Sequence, residues 1–531
     1  MKDNSFVIKF DGFNCERGAD NMILFTPERG ETTRTNPYGF EAVVKNGEVI
    51  KKGSNDNKIP TDGFVLSGHG TMSRLISDKI SVGAKVELSA DKKSATVTVG
   101  KETELKRAEF EIEFIKSYVN ESPETASLYI EKAEVAFEEA KKATNEEQFK
   151  SYLQTITENC NMAYIVGTAS PTVEARGIWH RPSRERSAAD VDATVKRLAD
   201  TGFNLVLVET FYNGYVIYKN SSYCKTRPNI ADLDFDMLEE FIKAGKKHGV
   251  EIHAWVENFF VGGLNENRTG TKTGSPILDE HPEWAARLKD GSIHMTAEPK
   301  FVYVNAAMDE VQDFISNVYA ELVSRYEIDG IQLDYIRYPL GTTIDNTVGF
   351  DDYTLAEFKK LSGIDARDIT DTNSPEWREF IKYKASHVTR FVKRIHNEIR
   401  EFEKKNGKRI YISTAVIGHA EDAMRTKCQD WPLWLAEGWL DFISPMAYYE
   451  DNSEVEKEVA SMVDRFPEIP NYAGIAPMFN HMPPIDSTRQ IVASRNAKAK
   501  GVVFFATDSL DETQAKLLKI GAFKNKAKIR E

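Results

Sequence analysis

The spacing of hydrophobic and polar positions changes twice along the chain. Up to about residue 115, short runs such as FVIKF and SATVTV alternate apolar and polar residues and are separated by Gly, Asn and Asp. Alternation with a period of two residues predicts half-buried strands. The pair Asn46-Gly47 lies between two such runs and predicts a hairpin. Residues 1–115 are therefore expected to form a small all-β domain.

The following stretch, residues 116–170, has apolar side chains at helical spacing. PETASLYIEKAEVAFEEAKKA, which begins at Pro123, and NEEQFKSYLQTITENCNMAYIV each predict an amphipathic helix. We interpret this stretch as a helical connector that packs between two domains.

In residues 171–531, near-continuous apolar runs alternate with amphipathic helices. Eight runs are expected to be strands: ARGIWHR, FNLVLVET, VEIHAWVE, DGIQLDY, RIYISTA, LDFISPM, NYAGIAP and GVVFFAT. Strands that are apolar throughout are typical of a parallel sheet buried on both faces. Eight strand–helix repeats predict an α/β fold, a TIM-like (β/α)8 barrel that forms the catalytic domain.

Local signals support the helices between these strands. Ser187, Asp234 and Ser487 are expected to cap helix N-termini, and Gly202 and Gly249 to end helices. The alternative to a barrel is an open doubly wound sheet, which binds a nucleotide at a Gly-rich turn after its first strand. Here the first strand runs into WHRP without a GxGxxG motif, which favours the barrel.

Composition narrows the range of functions. The chain has 531 residues and a net charge of −13, which disfavours nucleic acid as a partner because phosphate binding needs a basic surface. No apolar run reaches the roughly 20 residues of a membrane span. The start MKDNSFVIKF lacks the apolar core of a signal peptide, which leaves export open. The cysteines (Cys15, Cys160, Cys224, Cys428) are far apart, so a structural zinc site is not expected.

Catalysis in a (β/α)8 barrel takes place at the carboxyl ends of the strands. Those ends are rich in carboxylates and aromatic rings, without a GxSxG or Cys/His pattern. His253 could be half of an HxH metal pair, but Trp255 stands where the second ligand belongs, so no metal or cofactor is expected. The side chains expected to contact substrate are His180, Glu209, Trp255, Asn258, Tyr335, Arg337, Tyr448, Asp451 and Asp508.

Asp334 is the principal catalytic candidate. It ends the strand DGIQLDY beside Leu333, where a buried carboxylate is costly unless it has a task. Cleavage of a glycosidic bond requires a second carboxyl group. Glu257, at the end of the adjacent strand, is the leading partner, and Asp451 and Glu209 remain alternatives.

Taken in order, ARGIWHRP, FNLVLVETFYNGYVIY, HGVEIHAWVENFFVG, HPEWAARLKDG, DGIQLDYIRYP, LDFISPMAYYED and GVVFFATDSL resemble the glycosyl-hydrolase-like 10 family. The resemblance covers roughly residues 174–520. It implies a (β/α)8 glycosidase, bacterial and secreted or in the cell envelope, whose catalytic carboxylate is Asp334. One class of this family is associated with peptidoglycan glycan strands. The run HAWVENFF departs from the family's common HAWxNPYR, so Glu257 stands at a variable position.

The N-terminal stretches NCERGADNMILFTPERGETTRTNPYGFEAVV and KIPTDGFVLSGHG resemble part of the phosphodiester glycosidase domain. The resemblance covers about residues 5–100, and we interpret this region as an accessory β domain. If it held a site of its own, the resemblance would point to Arg17, Asn36 and His69.

We therefore expect a glycoside hydrolase that cleaves O-glycosyl bonds of a polysaccharide or oligosaccharide by a two-carboxylate mechanism. Peptidoglycan glycan strands are a candidate substrate. The alternatives are a non-catalytic carbohydrate-binding barrel, which would bind without releasing new reducing ends, and a transglycosylase on the same site.

Overall fold

The structure, a computed structural model, describes residues 4–36, 39–53, 55–119, 123–264, 270–298 and 300–531. An N-terminal β sheet is followed by a helical segment and then by a barrel. Among the helices of this described part, none combines the length and the apolar character that crossing a bilayer requires.

The N-terminal domain is built on one eight-stranded sheet. Its strands are β1 (Asn4–Lys9), β2 (Gly12–Phe13), β3 (Met22–Phe25), β4 (Phe40–Lys45), β5 (Glu48–Lys52), β6 (Gly63–Gly68), β7 (Lys85–Leu88) and β8 (Ser94–Val99), in the spatial order β1-β8-β7-β5-β4-β6-β3-β2. The predicted hairpin is confirmed, because β4 and β5 pair antiparallel around Asn46 and Gly47. Both turn residues have positive φ, 51° and 73°, which is the geometry that Asn-Gly pairs accept most readily.

Helices appear earlier in the chain than expected. One helix, α1 (Thr71–Lys79), packs against β4 and β6, and three more follow the sheet: α2 (Lys101–Tyr118), α3 (Pro123–Lys142) and α4 (Glu146–Gly167). The two helices expected between residues 116 and 170 are confirmed as α3 and α4. The expectation that residues 1–115 contain only strands is wrong at α1 and at α2.

The second half of the chain forms a closed parallel barrel. The strands are β9 (Ala175–His180), β10 (Leu205–Tyr212), β11 (Tyr215–Val216), β12 (Glu251–Glu257), β13 (Phe260–Gly263), β14 (Phe301–Tyr303), β15 (Gly330–Asp334), β16 (Tyr411–Val416), β17 (Phe442–Pro445), β18 (Tyr472–Ile475) and β19 (Gly501–Phe504). Eight of them pair in the order β9-β10-β12-β15-β16-β17-β18-β19, and β19 returns to β9. Parallel bridges from Ile443 to Asn471 and from Met446 to Gly474 join β17 to β18. The predicted (β/α)8 barrel and its eight strands are confirmed.

Helices surround the barrel, and one insertion covers part of its mouth. The helices are α5 (Ala188–Thr201), α6 (Pro228–Ala231), α7 (Met237–His248), α8 (Pro276–Glu280), α9 (Asp309–Arg325), α10 (Asp352–Ser362), α11 (Pro375–Asn406), α12 (Ala420–Lys427), α13 (Trp431–Ala436), α14 (Asn452–Arg465), α15 (Ile485–Asn496) and α16 (Glu512–Ile520). The insertion between β12 and α9 contains an antiparallel hairpin of β13 and β14.

The barrel interior is filled by large side chains rather than left open. Trp179, Leu207, Trp255 and Val503 belong to one buried cluster inside the strands, whereas a larger cluster lies between the strands and the helices. A Cβ atom on Gly330 would lie 2.5 Å from the His253 ring. His253 is thus a packed interior residue, and glycine opposite it makes the space.

The capping predictions are confirmed in part. Ser187 caps α5 through a bond from the Asp190 amide, and Gly202 and Gly249 end α5 and α7 in the left-handed region. The other two cap predictions are wrong. The cap of α7 is Asp236 rather than Asp234. Ser487 lies inside α15, where its hydroxyl bonds the Gln514 side chain.

Candidate active site

The last residues of two neighbouring barrel strands are carboxylic acids. Glu257 ends β12 and Asp334 ends β15, and the two are direct partners in the parallel ladder. Paired positions project to the same face of a sheet, and Trp255, two residues before Glu257, lies in the interior cluster. Both carboxyl groups therefore lie inside the barrel, at the end where (β/α)8 enzymes react.

Asp334 is held by two hydrogen bonds. Trp255 Nε1 donates to Oδ2 at 2.8 Å, and the Tyr335 amide donates to Oδ1 at 2.7 Å. Asp334 is 8% exposed. Burial raises the pKa of Asp334, while the Tyr335 amide, Arg337 and Trp255 act in the opposite direction. Because each oxygen has a donor, the surroundings supply specific support for the ionised form.

Glu257 has a different environment. It is 0% exposed, and neither of its carboxyl oxygens accepts a hydrogen bond from any residue that the structure describes. Burial, followed by the neighbouring charge of Glu209, raises the pKa of Glu257 well above its ordinary value, and Arg181 only partly opposes them. Glu257 thus keeps its proton more readily than an ordinary carboxyl group.

A guanidinium pair neutralises Glu209, the acid on the next strand. Arg181 Nε lies 2.7 Å from Glu209 Oε1, and Arg227 Nη2 lies 2.9 Å from Oε2. Arg181 Nη2 also lies 3.9 Å from Glu257 Oε1. Burial would lower the pKa of Arg181, but Glu209 and Glu257 outweigh it and raise that pKa. Glu209 therefore anchors Arg181, which in turn lies near Glu257.

Aromatic rings form a chain beside the carboxyl pair. Trp179 lies 6.4 Å from Trp255 and 6.5 Å from Tyr448, measured between ring centroids. Tyr448 lies 5.5 Å from Phe505. Trp179 Nε1 donates to Gln332, which fixes its indole ring. The expected aromatic residues Trp255 and Tyr448 are thus brought close to Asp334, and Trp255 acts there as a hydrogen-bond donor.

Tyr335 and Arg337 join Asp334 to the inserted hairpin. The Tyr335 ring stacks on Phe260 at 4.8 Å, and Arg337 lies 4.5 Å from the Tyr335 centroid. Arg337 Nη1 bonds Glu298 Oε1 at 3.1 Å, and the same oxygen receives Lys427 Nζ at 2.5 Å. Burial opposes the effect, but these two cations lower the pKa of Glu298 to about 2.

Two further predicted residues, Asn258 and His180, lie at the carboxyl ends of barrel strands and make hydrogen bonds there. Asn258 donates through Nδ2 to the carbonyls of Val256 and Asp334, and its Oδ1 accepts from Tyr319. Its amide therefore holds the end of β15 in place. His180 Nδ1 lies 2.8 Å from the Thr507 hydroxyl, and the ring is buried against Phe241.

The last two predicted residues lie at the rim. Asp451 caps α14 by accepting from the Ser453 amide and hydroxyl. Asp508 is exposed in a short 3-10 turn before α16, which is capped by Asp511. Contacts of all these residues with a substrate remain predictions.

Several site residues were not identified from the sequence. Arg227 and Glu298 lie in irregular segments far along the chain from the residues they contact, and Lys427 ends a helix. Gln332 lies within an apolar strand and was overlooked. It precedes Asp334 by two positions, which places both side chains on the interior face of the strand, and there Gln332 accepts from Trp179.

In the N-terminal domain, Arg17 donates to Asn36, Asn55 and Ser67, and His69 Nδ1 lies 2.5 Å from the carbonyl of Ala19. The resemblance of this region to a phosphodiester glycosidase domain remains a prediction.

Comparison with known proteins adds three findings. A family model described as Glycosyl hydrolase-like 10 matches residues 174–473. The S-layer-related protein of Niallia circulans is 24% identical over 317 residues, which cover 50% of this chain and 19% of that protein. Glycosyl hydrolase DigH of Escherichia coli K12 is 23% identical over 237 residues, which cover 40% of this chain and 46% of that protein.

The chain thus spans less than half the length of these two relatives. Among solved structures, the glycoside hydrolase domain of PgaB (BpsB) from Bordetella bronchiseptica aligns with 14% identity and a TM-score of 0.49. That alignment covers 66% of this chain and 100% of that domain.

Proposed function

The chain belongs to the glycosyl hydrolase-like 10 family, and from that premise we propose that it hydrolyses O-glycosidic bonds of a polysaccharide with Asp334 and Glu257 as its two carboxyl groups. The observation that supports this most directly is the contrast between two carboxyl groups on paired strand positions. Asp334 accepts two hydrogen bonds, whereas Glu257 is buried with none from the described residues.

Such a contrast assigns different tasks to the two groups. A carboxyl group that stays protonated at neutral pH can give its proton to the leaving oxygen, and one that stays ionised can stabilise or attack the anomeric carbon. Glu257 fits the acid, because burial and Glu209 raise its pKa. Asp334 fits the nucleophile or base, because Trp255 and the Tyr335 amide hold both oxygens.

The aromatic rings around Asp334 support a sugar substrate. Sugar rings have apolar C–H faces, and tryptophan and tyrosine offer large flat surfaces with a polar edge. Tyr448 is partly exposed beside Trp179 and is placed for such contact. Peptidoglycan glycan strands are the first substrate that we propose to test, because the sequence resembles a family associated with them.

Replacing Asp334 by Asn tests the assignment. We expect new reducing ends from the polysaccharide to fall by at least about a hundredfold, with an unchanged circular dichroism spectrum. Asp345→Asn is a matched control, since Asp345 is an exposed carboxylate in the loop after the same strand, and it should retain full activity.

Full activity of Asp334→Asn would contradict the proposal. Binding of a glycan by the wild-type protein without any new reducing ends would instead identify a carbohydrate-binding barrel. Products longer than the starting oligosaccharide would identify a transglycosylase.

A further inference from the structure

A cleft of about 800 Å³ separates the N-terminal domain from the barrel mouth. Residues of five segments line it: Lys52 of β5, Arg74 of α1, Glu450 and Asn480 from the loops after β17 and β18, and Arg489 of α15. The volume is within the range of roughly 300–1,000 Å³ that is typical of ligand sites. Since the loops after β17 and β18 belong to the catalytic face, the cleft opens beside the proposed active site.

Aromatic rings connect this cleft to the carboxyl pair. From Trp179, next to Trp255, the chain of rings runs through Tyr448 and Phe505 to Phe479, whose centroid lies 5.3 Å from that of Phe505. Phe479 is 53% exposed, so its ring is open to solvent at the end of this chain of rings.

The loop after β18 joins this chain of rings to the cleft. Asn480, the residue after Phe479, lines the cleft and donates to the Tyr448 carbonyl at 3.3 Å. The loop after β18 therefore places the Phe479 ring in the chain of rings that leads to the active site, and it places Asn480 in the cleft.

The charges in the cleft are paired with opposite charges at its surface. Arg74 Nη2 lies 4.0 Å from Glu450 Oε1, with side chains 60% and 46% exposed, and Arg489 lies 3.1 Å from Asp486. The Arg74–Glu450 pair is exposed on both sides and contributes little to stability, so its polar groups can turn to a ligand at small cost. The paired charges offer both hydrogen-bond donors and acceptors, which suits the many hydroxyl groups of a sugar chain.

From this arrangement we propose that the cleft binds additional sugar units of the polysaccharide that the barrel cleaves, so that the β domain supplies part of the substrate site. The inference rests on the proposed function and extends it. The protein acts on chains of several sugars and recognises units remote from the cleaved bond.

Binding measured without turnover tests this inference. In full-length protein carrying Asp334→Asn, calorimetric titration compares a disaccharide with an octasaccharide prepared from peptide-free peptidoglycan glycan, from chitin and from a plant β-glucan. Adding Arg74→Ala should weaken octasaccharide binding about tenfold, the effect of losing one hydrogen bond from a charged group, and leave disaccharide binding unchanged.

Two further variants make the result specific. Ser77→Tyr fills part of the cleft and should weaken octasaccharide binding in the same way. Lys79→Ala removes an exposed cation of the same helix, α1, outside the cleft, and should change neither affinity.

Equal octasaccharide affinity in Arg74→Ala, Ser77→Tyr and Lys79→Ala would overturn the inference, and so would the absence of binding to every glycan. Release of reducing ends by the wild-type protein is measured separately. If length-dependent binding and its loss in Arg74→Ala are observed without release, the proposed hydrolysis fails while the cleft site stands.

Discussion

At the scale of single residues, Glu257 combines full burial with the lack of a hydrogen bond to its carboxyl group from the described residues. A buried carboxylate without hydrogen bonds is unstable in its charged form, so the group either keeps its proton or weakens the fold. Arg181, at 3.9 Å, is shared with Glu209, which it contacts at 2.7 Å. Glu257 therefore has no closer charge partner of its own among the described residues. Such an arrangement lowers stability, and it is common at active sites.

Replacing Glu257 by Gln should separate stability from activity. A carboxyl group whose pKa is higher in the folded than in the unfolded state binds more protons when folded. The free energy of unfolding of the wild-type protein therefore falls as pH rises above about 4.3 and through the raised pKa. Glu257→Gln lacks this term, so its stability relative to wild type should increase from pH 5 to pH 8 in urea titrations.

The same variant should lose hydrolysis, because Gln cannot donate the required proton. Glu280→Gln is the control, since Glu280 is exposed and pairs with Lys225 at the surface. A stability difference that does not change with pH would contradict the raised pKa of Glu257.

The positions of Asp334 and Glu257 at strand ends could be predicted from the sequence. Asp334 and Glu257 each follow an apolar run, and the rule that barrel catalysis occurs at these ends singles them out. The partners that determine their protonation were not predictable. Arg181 and Arg227 come from two different loops, and their contacts with Glu209 depend on how those loops fold.

At the scale of elements, buried ion pairs hold the hairpin of β13 and β14 at the barrel mouth. Glu298 contacts Arg337, Lys427 and the Tyr303 hydroxyl. Burial and Arg337 lower the pKa of Lys427 to about 7, although Glu298 acts against them. Arg337 and Lys427 therefore share one carboxylate oxygen under the hairpin.

Replacing Glu298 by Ala should loosen this hairpin. The buried guanidinium of Arg337 would lose its carboxylate partner, and such a loss typically costs about 3–5 kcal/mol. We expect faster hydrogen exchange of the amides in β13 and β14 than in the barrel strands, measured by mass spectrometry. Glu283→Ala, at an exposed position of the same insertion, is the control. Unchanged exchange in both hairpin strands would contradict the fastening role.

Helix α2 shows where periodicity was misleading. Its segment AEFEIEF alternates like a strand, but Ala108, Ile112 and Ile115 are spaced for one helical face and are buried against the other connector helices. Phe110, which is 75% exposed, is left outside that face. Both patterns were present in the sequence, and only packing against α4 decides between them. The barrel strands presented no such conflict, because each contains a short, mainly apolar run without helical spacing.

At the scale of the whole molecule, the connector helices are joined to the barrel more firmly than to the β sheet. Ile485 of α15 lies in the same buried cluster as Tyr164 of α4, and Leu517 packs against it. Lys524 Nζ donates to the carbonyls of Val166 and Thr168.

Two truncations should therefore behave differently. A variant without residues 1–99 should elute without aggregates in size-exclusion chromatography and melt cooperatively, because the connector still covers α15 and α16. A variant without residues 1–167 exposes Ile485 and Leu517, and it should aggregate or melt at a lower temperature. Identical melting curves and elution volumes for the two truncations would contradict this division.

The ladder pairing of Glu257 with Asp334 also bears on how such proteins diversify. Backbone hydrogen bonds of adjacent strands fix the spacing of the two acids, independently of the chain that follows each strand. The inserted hairpin after β12 and the loops after β15 and β18 are then free to gain, lose or exchange residues over generations. New glycan preferences can arise in those loops while the inherited chemistry stays in place, because variation and reaction are assigned to different parts of the barrel.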